Sequence, residues 1–90
     1  MIKVNVDGKN YVLDFAYSTG MDNSRITTAL LIDESKRATK NYDPDYFAVA
    51  RKHPKDRDVK ENGRKAAIRK LVSRFDYKTR SSVWAAYFAR

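Results

Sequence analysis

The 90-residue chain has no cysteine, one histidine, two prolines and three glycines. Without cysteine, neither a disulfide framework nor a thiolate metal site can supplement its core. His53 stands alone beside Pro54, which argues against zinc bound through imidazoles. Gly8, Gly20 and Gly63 are isolated from one another, so there is no glycine-rich phosphate loop. Ser24, Ser73, Ser81 and Ser82 lack the sequence context of a catalytic nucleophile. No apolar run approaches the roughly 18 residues of a membrane helix, and Met1-Ile2-Lys3-Val4 does not open a secretory signal. These absences lead to the expectation of a soluble cytoplasmic protein without catalytic residues, metal or cofactor.

What is abundant is positive charge. Lysine and arginine number 19 against 11 acidic residues, a net charge of +8. The excess is uneven: residues 1–50 carry 6 cations and 7 acids, whereas residues 51–90 carry 13 and 4. An asymmetric basic segment predicts an electrostatic docking surface for a polyanion or an acidic protein. A solvated basic helix face with no partner is the plainer alternative.

The first half has the pattern of an antiparallel sheet. Ile2, Val4 and Val6 alternate with polar residues, as in a half-buried strand. Asp7-Gly8 suits a two-residue type I′ turn, which needs positive φ at both central positions. That turn sets Val6 opposite Lys9, Val4 opposite Tyr11 and Ile2 opposite Leu13, with Tyr11, Leu13 and Phe15 on the core face. Residues 18–24 are turn chemistry, and Arg25 to Asp33 forms a third strand. Residues 33–37 turn the chain again. Tyr46 to Arg51 forms a fourth strand after an irregular lead-in over 41–45, where Pro44 would be confined to an edge.

Helical periodicity dominates beyond residue 56. Ala67, Ile68, Leu71, Val72 and Phe75 make one apolar stripe, flanked by Lys65 and Arg69 on one side and by Lys70 and Arg74 on the other. Asn62-Gly63 suggests that the regular helix begins near 62. Asp76 or Thr79 can cap a second helix with the stripe Val83, Trp84, Tyr87 and Phe88. The expected fold is α+β: an antiparallel meander of three to four strands followed by two C-terminal helices packed on one face. One domain spans 1–90, with the meander in 1–52 and the basic helical half in 56–90.

Candidate functional residues are the cations Arg57, Lys60, Lys65, Arg69, Lys70, Arg74, Lys78 and Arg80, which recur on consecutive helical turns and suit contacts with nucleic-acid phosphates. Tyr42, Tyr46, Tyr77 and Tyr87 could stack on unpaired bases, though core-boundary packing is the commoner use of such residues. Trp84 is expected in the core. Arg64 falls within the apolar sector and needs a partner, with Asp56, Asp58 and Asp76 as candidates. Glu34, Lys36 and Asp45 contain the pieces of a metal-dependent nuclease centre, but in reversed order and within expected turns.

Gly63-Arg64-Lys65-Ala66-Ala67-Ile68-Arg69-Lys70, followed by Arg80, Val83-Trp84 and Tyr87, resembles the C-terminal half of small accessory proteins of tailed bacteriophages. These carry a Gly-Arg-Lys helix and an Arg-x-x-(Ile/Val)-Trp-x-x-Tyr helix after a β-meander. Residues 33–45 and the lysine content depart from that pattern. The resemblance implies a viral origin and a role in the host cytoplasm. The leading expectation is a non-enzymatic protein that docks DNA or RNA through residues 51–80. The alternative is an inhibitor of a host nucleic-acid-handling or defence protein, similar to an anti-CRISPR, acting by protein–protein binding.

Overall fold

A computed structural model of the protein describes residues 2–38, 43–52 and 60–90, the side chains of 37 and 38 excepted. The elements are β1 (Ile2–Val6), β2 (Lys9–Thr19), β3 (Arg25–Asp33), α1 (Glu34–Ala38), β4 (Tyr46–Lys52), α2 (Lys60–Val72) and α3 (Tyr77–Phe88). The strands form one antiparallel sheet in the order β1-β2-β3-β4. This is the expected α+β arrangement of a meander followed by helices.

The first hairpin follows from its turn. Asp7 and Gly8 have φ of 52° and 83°, the left-handed pair that a type I′ turn requires. Val6 pairs with Lys9, Val4 with Tyr11 and Ile2 with Leu13, the register set by that turn. Strand alternation then sends Val4, Tyr11 and Leu13 from the hairpin, Ala29 and Leu31 from β3, and Ala48 and Ala50 from β4 to one face. Ala67, Ile68, Leu71 and Val72 of α2, with Val83 and Tyr87 of α3, close the core over that face. Small alanines on β3 and β4 let α2 lie close to the sheet.

Three local expectations need correction. Residues 34–38 form the short helix α1 rather than a plain turn. Asp33 starts it, its Oδ1 accepting from the Ser35 N–H and Oγ at 3.0 and 2.9 Å, as an N-terminal cap does. Strand β2 continues through Ser18 and Thr19, which pair with Ile26 and Arg25, because cross-strand partners outweigh the turn preference of serine and threonine. Helix α2 starts at Lys60 and carries Asn62-Gly63 in its first turn. A Cβ on Gly63 would lie 2.7 Å from Thr27 Oγ1, so glycine permits the close crossing of α2 over β3.

Asp76 caps α3, its carboxylate accepting from the Thr79 N–H at 2.9 Å. The Thr79 hydroxyl, then the Thr79 N–H, holds the Asp76 carboxyl below its usual pKa. Among the described residues, no helix is long and apolar enough to cross a membrane.

Candidate nucleic-acid interface

Helix α2 buries Ala67, Ile68, Leu71 and Val72 and leaves Arg69 and Lys70 outside, and Ser73 and Arg74 are exposed in the turn that follows it. At 100° per residue, the cations leave the buried stripe by two flanks, as their spacing predicts. Lys65 turns towards α3, its Nζ 5.7 Å from the centre of the Phe88 ring, and Arg69 follows one turn later.

On the other flank, Lys70 Nζ donates to the Val49 carbonyl at 3.3 Å and Arg74 Nη2 donates to the Phe47 carbonyl at 3.0 Å. These carbonyls belong to an edge strand, whose outward backbone groups otherwise invite pairing with another chain. Each cation spends one donor on the edge and keeps others, since an ammonium has three and a guanidinium five. The edge bonds therefore restrict two long side chains while leaving their charges in solvent. Beside them, on the sheet face away from the helices, Phe47 and Val49 are exposed.

Ion pairing separates the cations further. Lys3 pairs with Glu34 at 3.4 Å, Lys9 with Asp33 at 3.1 Å, Lys36 with Asp45 at 2.8 Å and Arg51 with Asp22 at 3.9 Å. Glu61 gathers Arg64, Lys65 and Arg90 at 3.6, 3.9 and 3.0 Å. Arg69, Lys70 and Arg74 meet no carboxylate at ion-pair distance among the described residues.

The eight predicted cations thus do not form one array. Arg57 lies outside the described residues. Lys60 sits at the far end of α2 with its Nζ 5.4 Å from the Tyr17 ring centre. Lys65 is tied to Glu61. Arg69 on one flank and Lys70 and Arg74 on the other make up a broad exposed ridge, and Lys78 and Arg80 are exposed at the start of α3.

The aromatic residues also divide. Tyr87 is fully buried and unavailable for stacking. Its hydroxyl makes no hydrogen bond of good geometry, and burial, then the facing Glu61 carboxylate, pushes its pKa up. Tyr46 packs edge-on against Phe75 at 5.0 Å, whereas Tyr77 is exposed. Tyr42 is outside the described residues. Trp84 sits at the core boundary, stacked on Phe88 at 5.6 Å; Val83 and Tyr87 hold the fully buried positions expected to include it.

Arg64 finds partners other than those anticipated. Its Nε donates to Tyr17 Oη at 2.8 Å, and Glu61 lies one helical turn away. Asp76 is committed to its cap, and Asp56 and Asp58 are outside the described residues. The Glu34, Lys36 and Asp45 group has a structural use. Asp45 Oδ1 takes Lys36 Nζ at 2.8 Å and Oδ2 accepts from the Asp33 N–H at 2.7 Å. Lys36, then the Asp33 N–H, holds the Asp45 carboxyl below its usual pKa. Glu34 faces Lys3 instead. Among the described residues, no three potential ligands gather around a metal position.

Phe47 and Val49 had no place among the candidate residues, and Arg51 and Lys52, within the expected docking span 51–80, were not singled out. The signal was available: alternation around Ala48 and Ala50 puts Phe47, Val49 and Arg51 on the opposite face of β4. Which face the helices would cover was not legible from that strand. The chain matches no protein-family model, no curated protein and no solved structure.

Proposed function

We propose that the protein binds the backbone of DNA or RNA through the ridge Arg69, Lys70 and Arg74, continued by Lys78 and Arg80. The observation that carries this reading is the absence, among the described residues, of ion pairs at the first three, while the described cations of β1, β2, α1 and β4 other than Lys52 are paired. An unpaired, edge-anchored cation loses little freedom on meeting a phosphate and gives up no intramolecular pair. Contacts to backbone phosphates carry no sequence information, so the binding is expected to be largely independent of sequence. Phe47, whose carbonyl accepts from Arg74 and whose side chain is exposed on the other sheet face, offers a stacking surface to an unpaired base.

Fluorescence anisotropy with labelled DNA and RNA, over a series of salt concentrations, tests the proposal. Five phosphate contacts predict a slope of log affinity against log salt near roughly −4.5 for duplex DNA and −3.5 for a single strand. Binding that is absent at low salt, or indifferent to salt, refutes it and favours the protein-inhibitor reading.

A further inference from the structure

Away from that ridge, a groove of about 520 Å³ opens between the first turn of α2 and the ends of β2, β3 and β4. Arg25, Arg51, Lys52 and Lys60 line it together with Thr27 and Gly63, and no carboxylate among the described residues does so. Lys52 is the unusual member. Its Nζ is shut off from solvent and has no hydrogen-bond partner among the described residues. A buried ammonium without a counter-charge is strongly unfavourable, and buried polar groups are nearly always satisfied. Lys60 stands over Tyr17 on one wall, and Arg51 is held at 3.9 Å from Asp22 on another. The close crossing allowed by Gly63 brings the α2 backbone within reach of the Thr27 hydroxyl side of the groove.

We infer that this groove binds a terminal phosphate, either inorganic phosphate or a phosphomonoester, with Lys52 and Lys60 as its charged ligands. A tetrahedral dianion accepts donors from several directions, which suits cations on separate walls plus the Thr27 hydroxyl; a planar carboxylate is better matched to a paired, in-plane donor set. Because the Lys52 Nζ is itself shut off from solvent, binding requires the Lys52 side chain to change rotamer so that its ammonium reaches the anion. The site is independent of the ridge, and either can exist without the other.

The test compares thermal melts in inorganic phosphate and in chloride of equal ionic strength, with amide chemical shifts followed in parallel. Phosphate at ten times its Kd should raise Tm by roughly 5–10 °C, with the largest shift changes at Thr27, Lys52, Asn62 and Gly63. Lys52→Met should melt higher than the wild type in chloride, because a buried unpaired charge is gone, and should lose the response to phosphate. Lys60→Ala should keep the fold and weaken phosphate binding about tenfold, the loss of one charge-assisted contact. Arg69→Glu with Arg74→Glu should leave the phosphate response intact, which separates this site from the ridge.

The absence of a phosphate-specific rise in Tm overturns the inference. So does a Lys52→Met protein that responds like the wild type, or shift changes confined to 69–74. Should Lys52→Met not fold, the Lys60→Ala titration and the shift map decide. Displacement of phosphate by a 5′-phosphorylated oligonucleotide and not by its 5′-hydroxyl form assigns the site to a strand end. Displacement by neither leaves free phosphate or a small ester as its ligand, and equal displacement by both overturns a terminal-phosphate site.

Discussion

The cations of the sheet half and those on the outer side of α2 and of the turn after it are alike in type and opposite in use. Lys3, Lys9, Lys36 and Arg51 each tie one element to a carboxylate on another or across a turn. Arg69, Lys70 and Arg74 are exposed, and the latter two bond to backbone carbonyls of β4. The first group is neutralised locally and cross-links the meander. The second keeps its field, so the net charge of +8 is expressed mainly from the helical side. Charge alone therefore does not mark an interface; charge without a nearby counter-charge does.

The most severe way to disturb both regions at once is through the core they share. Tyr87 is completely buried and meets Phe15 of β2 edge-on at 6.0 Å. Tyr87→Ala should cost roughly 3–5 kcal/mol, a large part of the roughly 5–15 kcal/mol that stabilises a domain. Trp84→Ala, at the core boundary, should cost about half as much and leave a folded protein. A calorimetric or denaturant melt checks both. Equal losses would show that Trp84 is as central to the core as Tyr87.

Reversing charge in each region tests the comparison itself. Arg69→Glu with Arg74→Glu should weaken nucleic-acid binding by about a hundredfold or more at low salt, uniformly across sequences. The matching change in the sheet half, Lys3→Glu with Lys9→Glu, should alter affinity by no more than about threefold, since those cations are already neutralised. Anisotropy measured side by side on the two double variants is decisive. Similar losses in both would mean that binding follows net charge and not the ridge.

The smallest effect concerns pH. The folded pKa of Asp45 is lowered from 3.8, first by Lys36 and then by the Asp33 N–H. A carboxyl with a depressed folded pKa contributes stability above its unfolded value and loses it as pH falls through the folded one. Asp45→Asn should therefore lower Tm by a few degrees at most near neutrality, as befits a partly exposed pair. The difference from wild type should shrink as pH drops through 3.8 and vanish below the depressed value. Melts at several pH values, with the gap widening towards acid, would assign Asp45 another role.

Much of the scaffold was legible because its signals are local. The Asp7-Gly8 turn fixed the hairpin register, Asp76, one of two capping candidates with Thr79, starts α3, and the apolar stripe identified the buried face of α2. The same stripe correctly split Lys65 and Arg69 from Lys70 and Arg74. Helix α1 was missed because the five residues of Glu34–Ala38 are too few to show a period, and the true start of α2 because Asn62-Gly63 argues against helix in isolation.

By itself the sequence determined the meander, the two long helices and the concentration of positive charge after residue 50. All three follow from periodicities of two or 3.6 residues, from turn chemistry and from composition, which need no knowledge of distant neighbours. Only the tertiary structure decided which described cations remain unpaired, that Lys70 and Arg74 lie along the edge of β4, that Arg64 meets Tyr17, and that the Lys52 Nζ is enclosed without a partner among the described residues. Ion pairing and burial depend on which residues far apart in the chain are brought within a few ångströms. A one-dimensional pattern carries no such distance.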